Sequence, residues 1–62
     1  MEILTPDEVA ELLRLARSRV ILLAKHGEIP AFVIDGRLRF QASDIEQWLK
    51  EKRIKKTLID TQ

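Results

Sequence analysis

Leu4-Thr5-Pro6-Asp7-Glu8-Val9 fixes the point at which this chain must begin to coil. Thr5 offers a hydroxyl to the first-turn N–H groups, and Pro6 fits the first helical position, where its missing N–H costs nothing. Glu8 stands three residues after Thr5, the spacing of a capping box, and Leu4 can staple against Val9. Val9, Leu12 and Leu13 then fall at helical spacing on one face, while Asp7, Glu8 and Glu11 favour solvent and the positive end of the helix dipole. A first helix is expected over residues 6–13.

A second helix follows after a few residues. Leu15 and Val20 are placed to staple its entry, Gly27 can take the left-handed conformation that ends it, and Pro30 comes soon after. It is expected over residues 17–26. Two short helices joined by so tight a turn make a helix-turn-helix pair, in which the first residues of the second helix face base edges. Here those residues are Arg17, Ser18 and Arg19.

Residues 31–34 and 37–40 read as a hairpin around Asp35-Gly36. That dipeptide favours a two-residue loop, but such a loop pairs Ile34 with Arg37 and Phe32 with Arg39, and it exposes both apolar residues. A loop over residues 35–37 instead pairs Ile34 with Leu38 and Phe32 with Phe40. At roughly 1.5 to 3 kcal/mol per large side chain buried, the second register is expected to win. It puts Arg37 at the tip of the wing and Arg39 on its outer face beside Val33.

Ser43-Asp44-Ile45-Glu46 offers another capping box, and Ile45, Trp48 and Leu49 form an apolar stripe in a third helix over residues 43–53. Trp48 is expected to anchor the core, since Ile45 and Leu49 share its face. Residues 1–53 form one domain in this reading, and residues 54–62 are a tail that frays or extends the third helix.

With 62 residues, the chain can bury only a thin core. It has no cysteine and a lone histidine, His26, so thiol chemistry and nitrogen- or sulfur-ligated metal sites drop out. The apolar runs are too short to span a bilayer, and a cytoplasmic protein is expected. The net charge of +1 conceals a polarity along the chain. Residues 1–13 carry Glu2, Asp7, Glu8 and Glu11 with no basic residue, whereas residues 14–39 carry six Arg or Lys against Glu28 and Asp35. A positive middle after an acidic start is what a one-sided phosphate-binding surface requires.

The stretches 4–13, Arg17-Ser18, Gly27-Glu28-Ile29-Pro30-Ala31, Arg39-Phe40, Asp44-Ile45 and Trp48-Leu49, in this order and spacing, can be compared with a known family. Over about residues 3–53 the chain resembles the excisionase-type, MerR-like winged helix-turn-helix DNA-binding domains. The resemblance implies a small α+β fold with a second helix that enters the major groove through Arg17, Ser18 and Arg19. It also implies a wing whose Arg37 and Arg39 reach phosphates or the adjacent minor groove. Arg14 in the turn and Lys25 late in the second helix complete the candidate DNA-binding set. Guanidinium forks suit both guanine edges and phosphates, and helix-start amides can add phosphate contacts.

Three positions depart from the family pattern. Arg14 stands where the turn usually has glycine, Ala16 stands where a serine usually caps, and Leu22 follows Ile21 on a surface that is often polar or aromatic. One of Ile21 and Leu22 must lie exposed, as a thymine-methyl contact, a tolerated surface leucine, or an interface.

The expected function is sequence-specific binding of double-stranded DNA, without covalent chemistry, cofactor, membrane or small-molecule substrate. It would serve recombination directionality or transcription regulation, with self-association or an integrase-like protein as the protein contacts left open. The alternative is a DNA-targeting or protein-interaction module of a larger transposase, terminase or methyltransferase system. His26 reads as a helix-end cation or phosphate contact rather than a catalytic base.

Overall fold

A computed structural model describes residues 1–54, so the expectations for the tail beyond Ile54 lie outside the described residues. The chain runs β1 (Ile3–Leu4), α1 (Pro6–Leu13), α2 (Arg17–Lys25), β2 (Phe32–Ile34), β3 (Arg37–Gln41) and α3 (Ala42–Glu51), a small α+β winged helix-turn-helix. The three strands form an antiparallel sheet in the order β1-β3-β2. β1 is an addition to the sequence reading, which left residues 1–5 without a strand. Its two residues pair Ile3 with Gln41 and Leu4 with Phe40, and tie the start of the chain to the end of the wing.

The capping box at the start of α1 is complete. The Glu8 N–H donates to the Thr5 hydroxyl at 3.2 Å, and the Thr5 N–H donates to the Glu8 carboxylate at 2.8 Å. The face that α1 buries is Pro6, Val9, Ala10 and partly Leu13, at i, i+3, i+4 and i+7. Leu12, expected in that stripe, is instead 59% exposed, because Ala10 takes the inward position and turns Leu12 outward.

Both helices of the pair end in the same hydrogen-bonded motif. After α1, the Leu15 N–H reaches the Ala10 carbonyl and the Arg14 N–H reaches Glu11; after α2, the Glu28 N–H reaches Leu23 and the Gly27 N–H reaches Ala24. The pivot residue is left-handed in each, with φ 59° at Arg14 and φ 77° at Gly27. α2 therefore stops at Lys25 with His26 as its cap, one residue short of the expected end. Glycine adopts that conformation freely, and arginine does so only under strain.

The hairpin closes by the register that the sequence reading rejected. Ile34 pairs with Arg37, Val33 with Leu38 and Phe32 with Arg39, around a two-residue loop in which Asp35 (φ 56°) and Gly36 (φ 77°) both have positive φ. The gain that argued for the longer loop does not exist at this place in the fold. Val33 shares a sheet face with Leu38 and Phe40, the face toward the core, and is still 73% exposed, so β2 overhangs the core at the edge of the sheet. Moving Phe32 and Ile34 to that face would bury little, and the turn chemistry decides.

The core consists of Val9, Ala10, Val20, Ile29, Phe40 and Ile45, with Leu4, Leu13, Leu23, Leu38 and Trp48 packed around it. Every element except the overhanging β2 contributes. Trp48 packs against the edge of this core, its indole N–H buried without a hydrogen-bond partner among the described residues and the Lys52 ammonium 5.6 Å from the ring centroid. Leu49, expected beside it, is 42% exposed. The expected capping box at Ser43 does not form: α3 starts one residue earlier, Gln41 stands at its N-cap position, and the Gln41 amide donates to the Ser43 hydroxyl at 3.0 Å. Because β3 runs directly into α3, no connecting residue is left for Ser43 to cap from. α3 is regular only to Glu51, short of residue 53.

Candidate nucleic-acid interface

The residues of α2 divide cleanly by helical position. Val20 is fully buried, and Leu23 and Ala24 are partly so, which turns Ser18, Leu22 and Lys25 to the opposite, outward side. These three stand at i, i+4 and i+7 and form one stripe. Arg19 and His26 flank it on one side and half-buried Ile21 on the other. The stripe joins Ser18 and Lys25, two residues singled out from sequence, through a leucine between them.

Arg17 sits apart, toward α1. Its Nε donates to the Asp7 carboxylate at 2.7 Å, with the two side chains 59% and 75% exposed. A pair so open to water is worth at most about 1 kcal/mol, so the guanidinium can exchange Asp7 for a phosphate at small cost. The sequence reading gave Asp7 only a dipole role; the spacing of the two short helices is the signal that brings it within reach of Arg17.

The start of α2 is electrostatically adverse in the free protein. Arg17 and Arg19 place positive charge at the positive end of the helix dipole, no acidic residue lies in the first turn, and Ala16 supplies no side-chain cap. Helix-start N–H groups without a side-chain cap, in a first turn that carries two arginines, are relieved by an anion. Local conflicts of this kind are expected at functional or strained sites.

Arg37 and Arg39 share the outer face of the sheet, two residues apart on β3 and opposite the core face of Leu38 and Phe40. The cross-strand neighbour of Arg39 is Phe32, rather than Val33 as expected from the longer loop. Arg37 begins β3 beside Ile34 and flanks the turn. The Arg39 guanidinium donates to the Leu38 carbonyl at 2.7 Å, which steadies the half-buried side chain. The outer face therefore alternates two cations with Phe32 and Ile34, 41% and 52% exposed. Those apolar members were missed because the hairpin register was; the Asp35-Gly36 dipeptide was the signal. Arg14 is exposed at the turn between α1 and α2.

The family of helix-turn-helix domains matches residues 3–53, from β1 through the end of α3. The chain belongs to this excisionase-like family. A helix-turn-helix domain of this family has a DNA-binding role and takes double-stranded DNA as its partner. Neither the curated proteins nor the solved structures provide a match to the chain. Among the described residues, no helix is long and apolar enough to cross a membrane.

Proposed function

We propose that this helix-turn-helix protein binds double-stranded DNA sequence-specifically, with α2 in the major groove and the wing on the flanking backbone or minor groove. Ser18 and Lys25 face base edges or neighbouring phosphates from the outward stripe, and Arg17 and Arg19 grip the groove at the start of the helix. Arg37 and Arg39 hold the wing to the duplex, and Arg14 adds a phosphate contact at the turn. The observation that carries this reading is the start of α2, which has no side-chain cap, carries Arg17 and Arg19 and has no acidic residue in its own first turn, within a helix-turn-helix family match. Binding and organising DNA, without covalent chemistry, suits site-specific recombination directionality or transcription regulation.

A second reading, a DNA-targeting or protein-interaction module of a larger transposase, terminase or methyltransferase system, draws support from a groove of about 360 Å³ lined by Leu12, Ala42, Ile45, Glu46 and Leu49. Exposed Leu12 and Leu49 give that groove an apolar rim away from the arginines of α2.

The test is a fluorescence-anisotropy titration of duplex DNA across salt, with Arg17→Ala, Arg19→Ala and Arg39→Ala beside the parent. Affinity should fall as salt rises, and removing one phosphate-contacting arginine should lower the log-log slope by about 0.9. Absence of binding at ~50 mM salt overturns the proposal.

A further inference from the structure

Leu22 occupies the centre of the outward stripe of α2, 42% exposed, with Ser18 one turn before it and Lys25 one turn after. Arg19 and His26, three residues before and four after, are also exposed, and α2 contains no acidic residue. A large apolar side chain held in water between two cations, Arg19 and Lys25, requires a particular counterpart. An apolar protein surface would cover Leu22 only by stripping water from Arg19 and Lys25 without pairing them. A second copy related by a two-fold axis would set those same cations against their equivalents.

The major groove of DNA supplies both halves of the match. Its walls are phosphates, and the floor carries an apolar group wherever thymine stands, the C5-methyl. We infer that Leu22 is a specificity-determining residue that packs on a thymine methyl in the recognised site. The inference rests on the proposed DNA-binding reading and deepens it, because it assigns base preference to a residue with no hydrogen-bonding group. Ser18 and Lys25 bracket the contact, and the cations around Leu22 orient the helix so that the leucine meets the floor of the groove.

The experiment uses duplexes that the whole protein selects from a randomised pool, resynthesised with deoxyuridine replacing each thymine in turn. This exchange removes one methyl and leaves every hydrogen-bonding group of the base in place. The parent should lose affinity about fourfold at one thymine, the equivalent of one buried methyl, and little at the others. Leu22→Ala should bind the thymine duplex weaker by a similar factor and show no further loss with deoxyuridine at that position. The exchange on the parent needs no variant, and a melt of Leu22→Ala confirms that its fold is retained. A parent that binds every deoxyuridine duplex as tightly as thymine overturns the inference and leaves the DNA reading standing. So does a Leu22→Ala protein that keeps the sensitivity, or sedimentation that shows a Leu22-dependent dimer in free solution. Failure to select any duplex overturns the DNA reading itself.

Discussion

Replacing Arg14 by glycine should stabilise the protein, although the substitution removes a large side chain and creates no contact. Arg14 and Gly27 play the same part at the ends of α1 and α2, closed by equivalent pairs of hydrogen bonds, and only Arg14 has a Cβ to hold in the left-handed region. That conformation costs an L-residue about 1–2 kcal/mol. Against it stands the greater freedom of glycine in the unfolded chain, about 0.5–1 kcal/mol. The Arg14 side chain is exposed and enters no hydrogen bond or ion pair among the described residues, so no packing is lost. The net gain centres on about 0.75 kcal/mol, between bounds of about 0 and 1.5, and at about 4–8 °C per kcal/mol for a domain this small, the central value raises Tm by about 3–6 °C. Thermal melts followed by helical circular dichroism would measure it, with Arg14→Ala as a partner that loses the guanidinium and keeps the strain. Should Arg14→Gly melt no higher than Arg14→Ala, left-handed strain at the turn is not what the residue costs, and the comparison with Gly27 fails. The same pair separates stability from binding, since both variants should lose DNA affinity equally if Arg14 touches phosphate.

Ala16→Ser should restore a side-chain acceptor at the bare start of α2 and stabilise by up to about 1 kcal/mol, whereas Thr5→Ala should cost a similar amount by opening the capping box; urea titrations read both. Phe40→Ala, at a fully buried position, should cost about 3–5 kcal/mol, enough to unfold a domain of this size at room temperature. Ile34→Thr should cost no more than about 1 kcal/mol, since half of that side chain already meets water, and a larger loss in urea would point to the longer hairpin loop. Asp7→Asn should release Arg17 and strengthen binding to duplex DNA at low salt, with the gain shrinking as salt rises; unchanged affinity would show that the pair with Asp7 does not compete with the ligand.

The elements bounded by local chemistry could be read before any coordinates. Thr5, Pro6 and Glu8 define the start of α1, and Gly27 defines the end of α2, because in each place two or three residues agree on one backbone conformation. What escaped the sequence depended on position in the assembled fold. Whether Leu12 or Ala10 faces inward is set by how α2 and β3 pack against α1, and a helical period admits both. β1 is two residues long and exists through its pairing with Gln41 and Phe40, which no local pattern announces. The hairpin was misread because burial was credited to a strand that overhangs the core, which the fold alone can reveal. Among the candidate binding residues, the charge blocks pointed to α2 and the wing, but they could not separate Arg17, held by Asp7, from Ser18 and Lys25 on the outward stripe.

A strand that shows three greasy side chains to water and runs along a free sheet margin would ordinarily invite stacking into fibrils. Here β2 is only three residues long, cut off by Pro30 just upstream and by the sharp reversal at Asp35 and Gly36. Such a stub offers too few backbone groups to template another chain. The wing can thus leave Phe32, Val33 and Ile34 uncovered without presenting a long strand edge for another chain to extend.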